Sequence, residues 1–505
     1  MESETNLTED ESRIENRKAE SGTSRSTEFL DDTIWIPKRY CIAILGFLGF
    51  ANIYALRVNM SVAIVSMTSN RTLLTNGSKI IIDAEFPWDR SVQGIILGSF
   101  FYGYILTQVL GGWLAIRYGG KQLFFCGVFV TAIITLLTPL LAKMHLYLLI
   151  IGRVLEGVFE GVTYPAMHGV WSHWAPPTER SRLVTITLSG SYFGTVIALP
   201  LSGILTDTLG WSSIFYVFGT VALIWCGIWF YIVAETPSSD KSISVAEKEY
   251  IEDTIGPTII SSKVNVPWKS IMTSLPVWAI VAAHFSENWG FYTLLTELPT
   301  FMSDVFAYSM YDAGLISALP YLVMGLVVQF SGFLADWFRT SGHLSTMQVR
   351  KLFTCTAFIC QTIFLLAAAN ATKPISVIAT LTVAVGFGGL AWSGFSVNSL
   401  DIAPQYASIL MGISNTVATI PGIISPSLTS YVIQDKTSEE WHIVFHISAA
   451  IYIIGTIIYA FLASGKVQNW AIIGQEQCLL STDDMSQTST EDLLPIGTRY
   501  QATQK

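Results

Sequence analysis

This sequence is short of charge. Only 13% of its 505 residues are charged and 51% are hydrophobic, whereas a soluble globular protein carries about 25% charged residues. A chain so composed is excluded as a water-soluble globule and belongs mostly in lipid. Basic residues are also scarce, 28 Lys and Arg against 37 Asp and Glu, a net charge of −9 that sits largely in the two tails. That balance offers no basic surface for nucleic acid. Six cysteines (Cys41, Cys126, Cys226, Cys355, Cys360 and Cys478) fall in apolar runs or in the C-terminal tail, so no disulfide framework is expected. A Cys-x2-Cys spacing is missing, as is a Ser/His/Asp set in a recognisable context. Neither a metal nor an organic cofactor is expected, and an enzyme is the least favoured class. The first 38 residues are polar and rich in Ser, Thr and Glu, unlike a signal peptide. The first apolar run must then serve as its own insertion signal.

What is present is apolar length. A span needs about 20 apolar residues, and twelve such runs occur: 40–66, 91–115, 122–142, 146–171, 183–206 and 211–233, then 275–301, 313–337, 351–369, 375–400, 405–433 and 442–463. The expected fold is an all-α membrane protein of twelve transmembrane helices in two six-helix halves, 39–233 and 275–466. A cytoplasmic linker (234–274) with a charged helical piece at Val245–Asp253 joins them, between polar tails at 1–38 and 467–505. Lys38, Arg39, Arg117, Lys121, Arg180, Arg182, Arg339, Arg350 and Lys351 cluster on one side, which places both termini in the cytoplasm. The long 67–90 loop then faces the lumen or exterior, and it carries two glycosylation sequons, at Asn70 and Asn76.

Against this apolar background the run Leu146–Trp171 contains Arg153, Glu156, Glu160 and His168. Each charge at the bilayer centre costs roughly 2.5–3.5 kcal/mol on insertion scales, so such groups normally face one another or a polar pathway. At about 100° per residue they share one helix face with Tyr164. Arg57 lies in the first run at a depth of roughly 22–26 Å from the inner face, close to that reckoned for Glu156 from a rise of about 1.5 Å per residue. A guanidinium there offers a bidentate clamp for a carboxylate. Substrate binding is the preferred reading of Arg57, with a structural Arg57–Glu ion pair as the alternative. Adjacent buried acids such as Glu156 and Glu160 suit a proton carrier, unless Arg153 pairs permanently with one of them. His168 reads equally as a proton relay or as a packed, hydrogen-bonded side chain.

The chain repeats itself. Gly112-Trp113-Leu114-Ala115-Ile116-Arg117-Tyr118-Gly119-Gly120-Lys121 after span 2 is echoed by Gly332-Phe333-Leu334-Ala335-Asp336-Trp337 after span 8, and Trp174-Ala175-Pro176 by Ile402-Ala403-Pro404. Two six-span halves in parallel repeat resemble the major facilitator superfamily, in which substrate binds near the midplane between the halves. Gly112, Arg117, Gly119 and Asp336 match that superfamily's gating-loop signature, although Ile116 stands in the first copy where an acid is usual.

Closer resemblance is carried by Tyr54-Ala55-Leu56-Arg57-Val58-Asn59, Leu97-Gly98-Ser99-Phe100-Phe101-Tyr102-Gly103-Tyr104, the Glu-Gly-x-x-Glu-Gly-Val-Thr core of span 4, Trp174 to Ser181, Ala283-His284-Phe285 and Leu400 to Pro404. On these stretches, from Arg39 to about Ala471, the chain resembles solute carrier family 17, the anion:cation symporters of the superfamily. The resemblance implies that Arg57 binds a substrate carboxylate and that Glu156 and Glu160 couple to protons, with Arg153 as their organising partner. It also implies that spans 1, 2 and 7 face a central cavity. Tyr54, Phe101, Tyr104, His284 and Tyr292 are therefore substrate-binding candidates, with Ser396 and Asn398 in span 10 as weaker ones. An acid at Glu287, where vesicular glutamate carriers resemble this stretch but place an arginine, would repel a second substrate carboxylate. Glu491-Asp492-Leu493-Leu494-Pro495 resembles an acidic di-leucine sorting signal.

The implied activity is proton-coupled export of sialic acid or a related acidic monosaccharide from lysosomes. The alternatives are a sodium-dependent phosphate or organic-anion cotransporter of the plasma membrane, and a vesicular glutamate or aspartate carrier. The coupling ion is expected to be H+, with Na+ open. The partners are a small organic anion and the bilayer, and the chain is expected to act as a monomer. A non-transporting receptor on the same fold would have no use for such costly buried charges. Span 10 carries no charge before Asp401, so proton chemistry is expected only in the first half.

Overall fold

Inside lipid no water is available for backbone N–H and C=O groups, so each crossing segment must satisfy them within a helix. The computed structural model describes residues 36–68, 71–75, 78–82, 84–255, 266–306, 310–435 and 437–472, and its membrane-spanning body is helical. The first half comprises α1 (Lys38–Thr68), α2 (Arg90–Tyr118), α3 (Gly120–Met144), α4 (Leu146–Glu160), α5 (Thr163–Trp174), α6 (Arg180–Leu209) and α7 (Ser212–Ile232). The linker supplies α8 (Val245–Ile255) and α9 (Trp268–Thr273). The second half comprises α10 (Leu275–Phe306), α11 (Met310–Thr340), α12 (Thr346–Ala369), α13 (Pro374–Ala391), α14 (Val397–Ile402), α15 (Ala407–Val432) and α16 (Ser438–Leu462).

Among the described residues ten continuous segments are long and apolar enough to cross a membrane. The α4–α5 pair and α10 complete the twelve crossings read from the sequence. Span 4 is one rod in the sequence but two helices in the fold. Pro165 has no N–H to give the Gly161 carbonyl, so the ladder breaks there, while Gly161 and Val162 keep right-handed helical dihedrals. Its counterpart, span 10, is also interrupted, by a wide π-type turn over Trp392–Ser396 between α13 and α14.

Tight connections hold neighbouring helices antiparallel. Gly119 (φ 97°) joins α2 to α3 and Gly210 (φ 86°) joins α6 to α7, conformations that cost a side chain about 1–2 kcal/mol. Within the first half, α1 lies along α6 and α2 along α4. The two halves meet where α6 packs on α11 and α2 on α15.

One departure from an all-helical chain lies in the 67–90 loop. There β1 (Arg71–Thr75) and β2 (Ser78–Ile82) form an antiparallel hairpin with Arg71 opposite Ile82. The sequon asparagines Asn70 and Asn76, residues 1–35 and 473–505 of the tails, and with them the Glu491–Pro495 segment, lie outside the described residues. Five cysteines are described, and all five are free.

Candidate functional site

The guanidinium of Arg57 projects from the middle of α1 into a ring of aromatic faces. Its carbon lies 4.6 Å from the centroid of Tyr54, 4.9 Å from Phe100 and 4.7 Å from Tyr104. Desolvated cation–π contacts of this kind are worth about 2 kcal/mol each, so the rings hold the charge without consuming its N–H donors. Those donors go to one oxygen of Glu160: Nε donates to Oε1 at 2.7 Å, and Nη2 pairs with the same atom. Glu160 is only 1% exposed, and its second oxygen, Oε2, has no hydrogen-bond partner among the described residues. A carboxylate with one oxygen on a cation and the other bare has a place ready for a proton.

One turn earlier, Glu156 is held differently. Arg153 Nη1 pairs with its Oε2, while Thr135 Oγ1 donates to Oε1 at 3.1 Å and Thr138 Oγ1 approaches it at 3.5 Å. Both alternatives left open in the sequence therefore occur at once: Arg57 pairs with a glutamate, and Arg153 pairs with the other one. Depth counting matched Arg57 with Glu156, but the fold matches it with Glu160. Four residues are about 6 Å of helix, an offset finer than counting from the ends of two separate runs resolves. Phe100, which the sequence reading passed over in favour of Phe101, lies under Arg153 as well (5.3 Å) and so separates the two guanidinium groups.

Beside this pair, between the halves, is a narrow, partly open cavity of about 20 Å³. Its walls come from Tyr54 (α1), Tyr104 (α2), Tyr164 (α5) and Tyr192 (α6) on one side, and from His284, Asn288, Phe291, Tyr292, Trp392 and Asn415 on the other. Hydrogen bonds order the wall: Tyr54 Oη to Tyr164 Oη at 3.0 Å, Asn415 Nδ2 to Tyr104 Oη at 3.1 Å, and His284 Nδ1 to Ser414 Oγ at 3.1 Å. Of the candidates, Tyr54, Tyr104, His284 and Tyr292 reach this wall. Phe101 stands just behind it, edge-on to Tyr292 at 6.1 Å.

Tyr192, Asn288, Phe291, Trp392 and Asn415 were missed. Only their place near interrupted or facing helices marks them, and aromatic or amide identity alone does not separate cavity wall from packing.

Other candidates lie elsewhere. Asn398 does not reach the cavity, because its amide donates to Tyr459 Oη at 3.2 Å and to the Ser464 carbonyl at 3.1 Å. The π-type turn before α14 rotates it away from the face that a regular helix would give it. Ser396 meets His168 Nε2 at 3.4 Å, and His168 Nδ1 faces the Tyr164 carbonyl at 3.1 Å. A carbonyl only accepts, so Nδ1 carries the proton and Nε2 is the acceptor. With both nitrogens engaged and no exposure, His168 is the packed, hydrogen-bonded side chain, and it ties span 4 to span 10. Glu287 does not face the cavity. Its carboxylate turns into the second half and accepts from Gln361 Nε2 at 2.9 Å, so the repulsion expected of it has no direct line to substrate.

The end of the bundle that the basic residues assign to the cytoplasm is closed by charge. Asp401 accepts from Arg350 Nε at 2.6 Å and from Arg180 Nη1 at 3.2 Å, and Arg350 also donates to Ser181 Oγ at 2.8 Å. Asp336 caps α6 across the halves, accepting from the backbone N–H of Ser181 at 3.1 Å and of Arg182 at 2.8 Å. The first copy of the repeat works without its acid. Gly112, lacking a side chain, lets α2 approach α15 closely enough for Ser408 Oγ to reach the Gly112 carbonyl at 3.0 Å. Gly119 forms the turn, and Glu235 caps α3 there, accepting from Gly120 N at 2.6 Å and Lys121 N at 3.1 Å. Arg117, expected in the gate, lies over Trp113 at 5.8 Å on the exposed side of α2. Ile116 offers it no carboxylate on its own loop.

Below the gate the linker is latched to the first half. Arg39 binds Glu179 at 2.7 Å and Glu247 of α8 at 2.8 Å. Burial pushes the Glu179 carboxyl up, but the hydrogen bond and charge of Arg39 outweigh it and leave Glu179 below the ordinary range. The latch is therefore intact at neutral pH and weakens only as pH falls through that lowered value.

The family profile described as Major Facilitator Superfamily matches residues 42–426. Human sialin is 47% identical over 450 residues, covering 86% of this chain and 91% of its own. Human vesicular glutamate transporter 2 is 42% identical over 476 residues, covering 93% and 82%. Among solved structures, the proton:xylose symporter XylE bound to 6-bromo-6-deoxy-D-glucose superposes with a TM-score of 0.62 at 15% identity, covering 85% of this chain and 97% of that one. The transporter FucP in the outward conformation does so with 0.61 at 14%, covering 85% and 100%. At those identities the solved structures speak to the fold alone.

Proposed function

The chain belongs to the major facilitator superfamily and, within it, to solute carrier family 17, and on that premise we propose that it is a proton-coupled transporter that exports an acidic monosaccharide such as sialic acid from an acidic organelle. One observation carries the reading: Arg57, held against the cavity-lining rings of Tyr54 and Tyr104, is neutralised by a glutamate that keeps one oxygen bare among the described residues. The ion pair and an incoming carboxylate compete for the same guanidinium. Leaving that guanidinium uncompensated would cost roughly 2.5–3.5 kcal/mol at bilayer depth, so the exchange must keep the charge balanced.

A proton from the acidic lumen, taken by Glu160, frees Arg57, and the substrate carboxylate replaces it on the guanidinium fork, which can take both of its oxygens. Substrate plus proton then leaves the pocket as neutral as before. The tyrosine hydroxyls and the amides of Asn288 and Asn415 suit a sugar's polyol rim, and the rings suit its apolar face. When the halves rock and the Arg180–Asp401–Arg350 cluster parts, neutral cytosol removes the proton. Glu160 then recaptures Arg57 and expels the anion. Glu156, surrounded by Arg153, Thr135 and Thr138, keeps Arg153 compensated, so of the two acids Glu160 is the one that governs substrate.

Uptake into proteoliposomes of sialic acid, glucuronate, glutamate, aspartate and phosphate, at two lumenal pH values and with sodium or choline outside, tests this reading. The expected result is sialic acid or glucuronate flux that rises with the proton gradient and is indifferent to sodium. A sodium requirement at fixed pH identifies the cotransporter instead, and preference for glutamate identifies a vesicular amino-acid carrier. No flux of any of them identifies a non-transporting member.

A further inference from the structure

Glu287 sits on α10, three residues after His284 and one before Asn288, both of which line the central cavity. Its carboxylate points the other way and is 1% exposed. Gln361 Nε2 on α12 donates to Oε2 at 2.9 Å. The other oxygen fills a notch above Gly388 of α13, where an added Cβ would stand 2.6 Å from Oε1. The titratable groups that face it are the phenols of Tyr192 from α6 and Tyr452 from α16. Among the described residues, no Arg, Lys or His nitrogen lies within ion-pairing distance of it. Asp336 and Asp401, by contrast, each stand beside an arginine.

An ionised carboxylate so deep with no counter-charge is replaced by its protonated form. One amide donor and a fitted notch suit that neutral form, since neither brings a charge that would favour ionisation. Tyr192 lines the cavity and is near enough to Glu287 to feel its charge, which puts a hydroxyl in the neighbourhood of both. The arrangement is built for a proton that arrives and leaves through the substrate pathway.

We infer that Glu287 is a second proton-carrying site, placed in the C-terminal half, that loads in the lumen and unloads in the cytosol, so that two protons cross with each anion. The inference rests on the proton-coupled reading above and adds to it a site in the half that the sequence left without one.

The test is the ratio of sialic acid accumulated by proteoliposomes at increasing pH differences, with the membrane potential clamped at zero by potassium and valinomycin. Two protons per anion give an anion ratio rising about 100-fold per pH unit, and one gives about tenfold. The expected result is about 100-fold for the natural protein and for Glu287→Asp, and about tenfold for Glu287→Gln. A natural protein whose ratio ignores pH overturns proton coupling altogether. A natural slope left unchanged in Glu287→Gln overturns only the second site. Because the amide variant is open to folding failure, infrared difference spectra between pH 5 and 7.5 supply a second reading on the natural protein and Glu287→Asp. A protonated-carboxyl band that grows at pH 5 and moves in the aspartate variant supports the site, and bands identical in the two proteins contradict it.

Discussion

Arg57 and Glu160 divide one task, binding a charge while never leaving one uncompensated. The guanidinium presents two parallel N–H groups, and an ammonium at the same place would be a point charge without that fork. Arg57→Lys is therefore expected to raise the KM for the transported anion by about tenfold or more, some 1.4 kcal/mol, measured as initial uptake rates in proteoliposomes. Unchanged KM would place the substrate carboxylate elsewhere. The residue types of this site were legible in the sequence, because an arginine and two glutamates in apolar runs are costly enough to stand out. Their pairing was not. Which glutamate meets Arg57 depends on about 6 Å along a helix, an offset that leaves no mark on the hydropathy pattern.

The crossing of α2 with α4 sets where Phe100 and Tyr104 stand relative to Arg153 and Glu160. Two glycines make the crossing possible. A Cβ on Gly103 would meet the Val154 carbonyl and one on Gly157 would meet the Phe100 carbonyl, both backbone atoms with no freedom to move aside. Gly103→Ala is expected to destabilise by about 1–3 kcal/mol as overpacking does, and to lower the melting temperature in detergent. Gly203→Ala in α6, where nothing lies within 4 Å, is the matched control and should leave it unchanged or raise it. Equal melting for both alanine variants would contradict tight α2–α4 packing.

At this scale the fold was readable almost entirely. Twelve apolar runs of the right length become twelve crossings because lipid permits little else. The exceptions have local causes. Pro165 splits span 4, a π-type turn splits span 10 ahead of Asn398, which is buried against Tyr459, and the hairpin in the 67–90 loop lies where hydropathy gives no signal.

The two halves are fastened at one end by Asp401 and Asp336, and the central cavity lies above that fastening. Each carboxylate bridges the halves, and removing one charge of a buried ionic cluster leaves the partner arginine uncompensated, a loss of about 3–5 kcal/mol. Asp401→Asn is therefore expected to populate the cytoplasm-open arrangement. Spin labels at the exposed positions Tyr118 and His343, one on each half, should then report a longer distance than in the natural protein. An unchanged distance distribution would show that packing of α6 on α11, rather than the ion cluster, keeps that end shut. The sequence marked this region through its repeated loop but assigned Arg117 to the gate. Gly112 and Asp336, one from each copy, both stand at the contact between the halves.

The exchange of a proton for an anion at Arg57 ties all three scales together, and Glu160→Gln isolates it. With amide in place of carboxylate, proteoliposomes are predicted to lose accumulation of sialic acid driven by an imposed pH gradient while still exchanging labelled for unlabelled sialic acid across the membrane. Full proton-driven accumulation by Glu160→Gln would contradict the account.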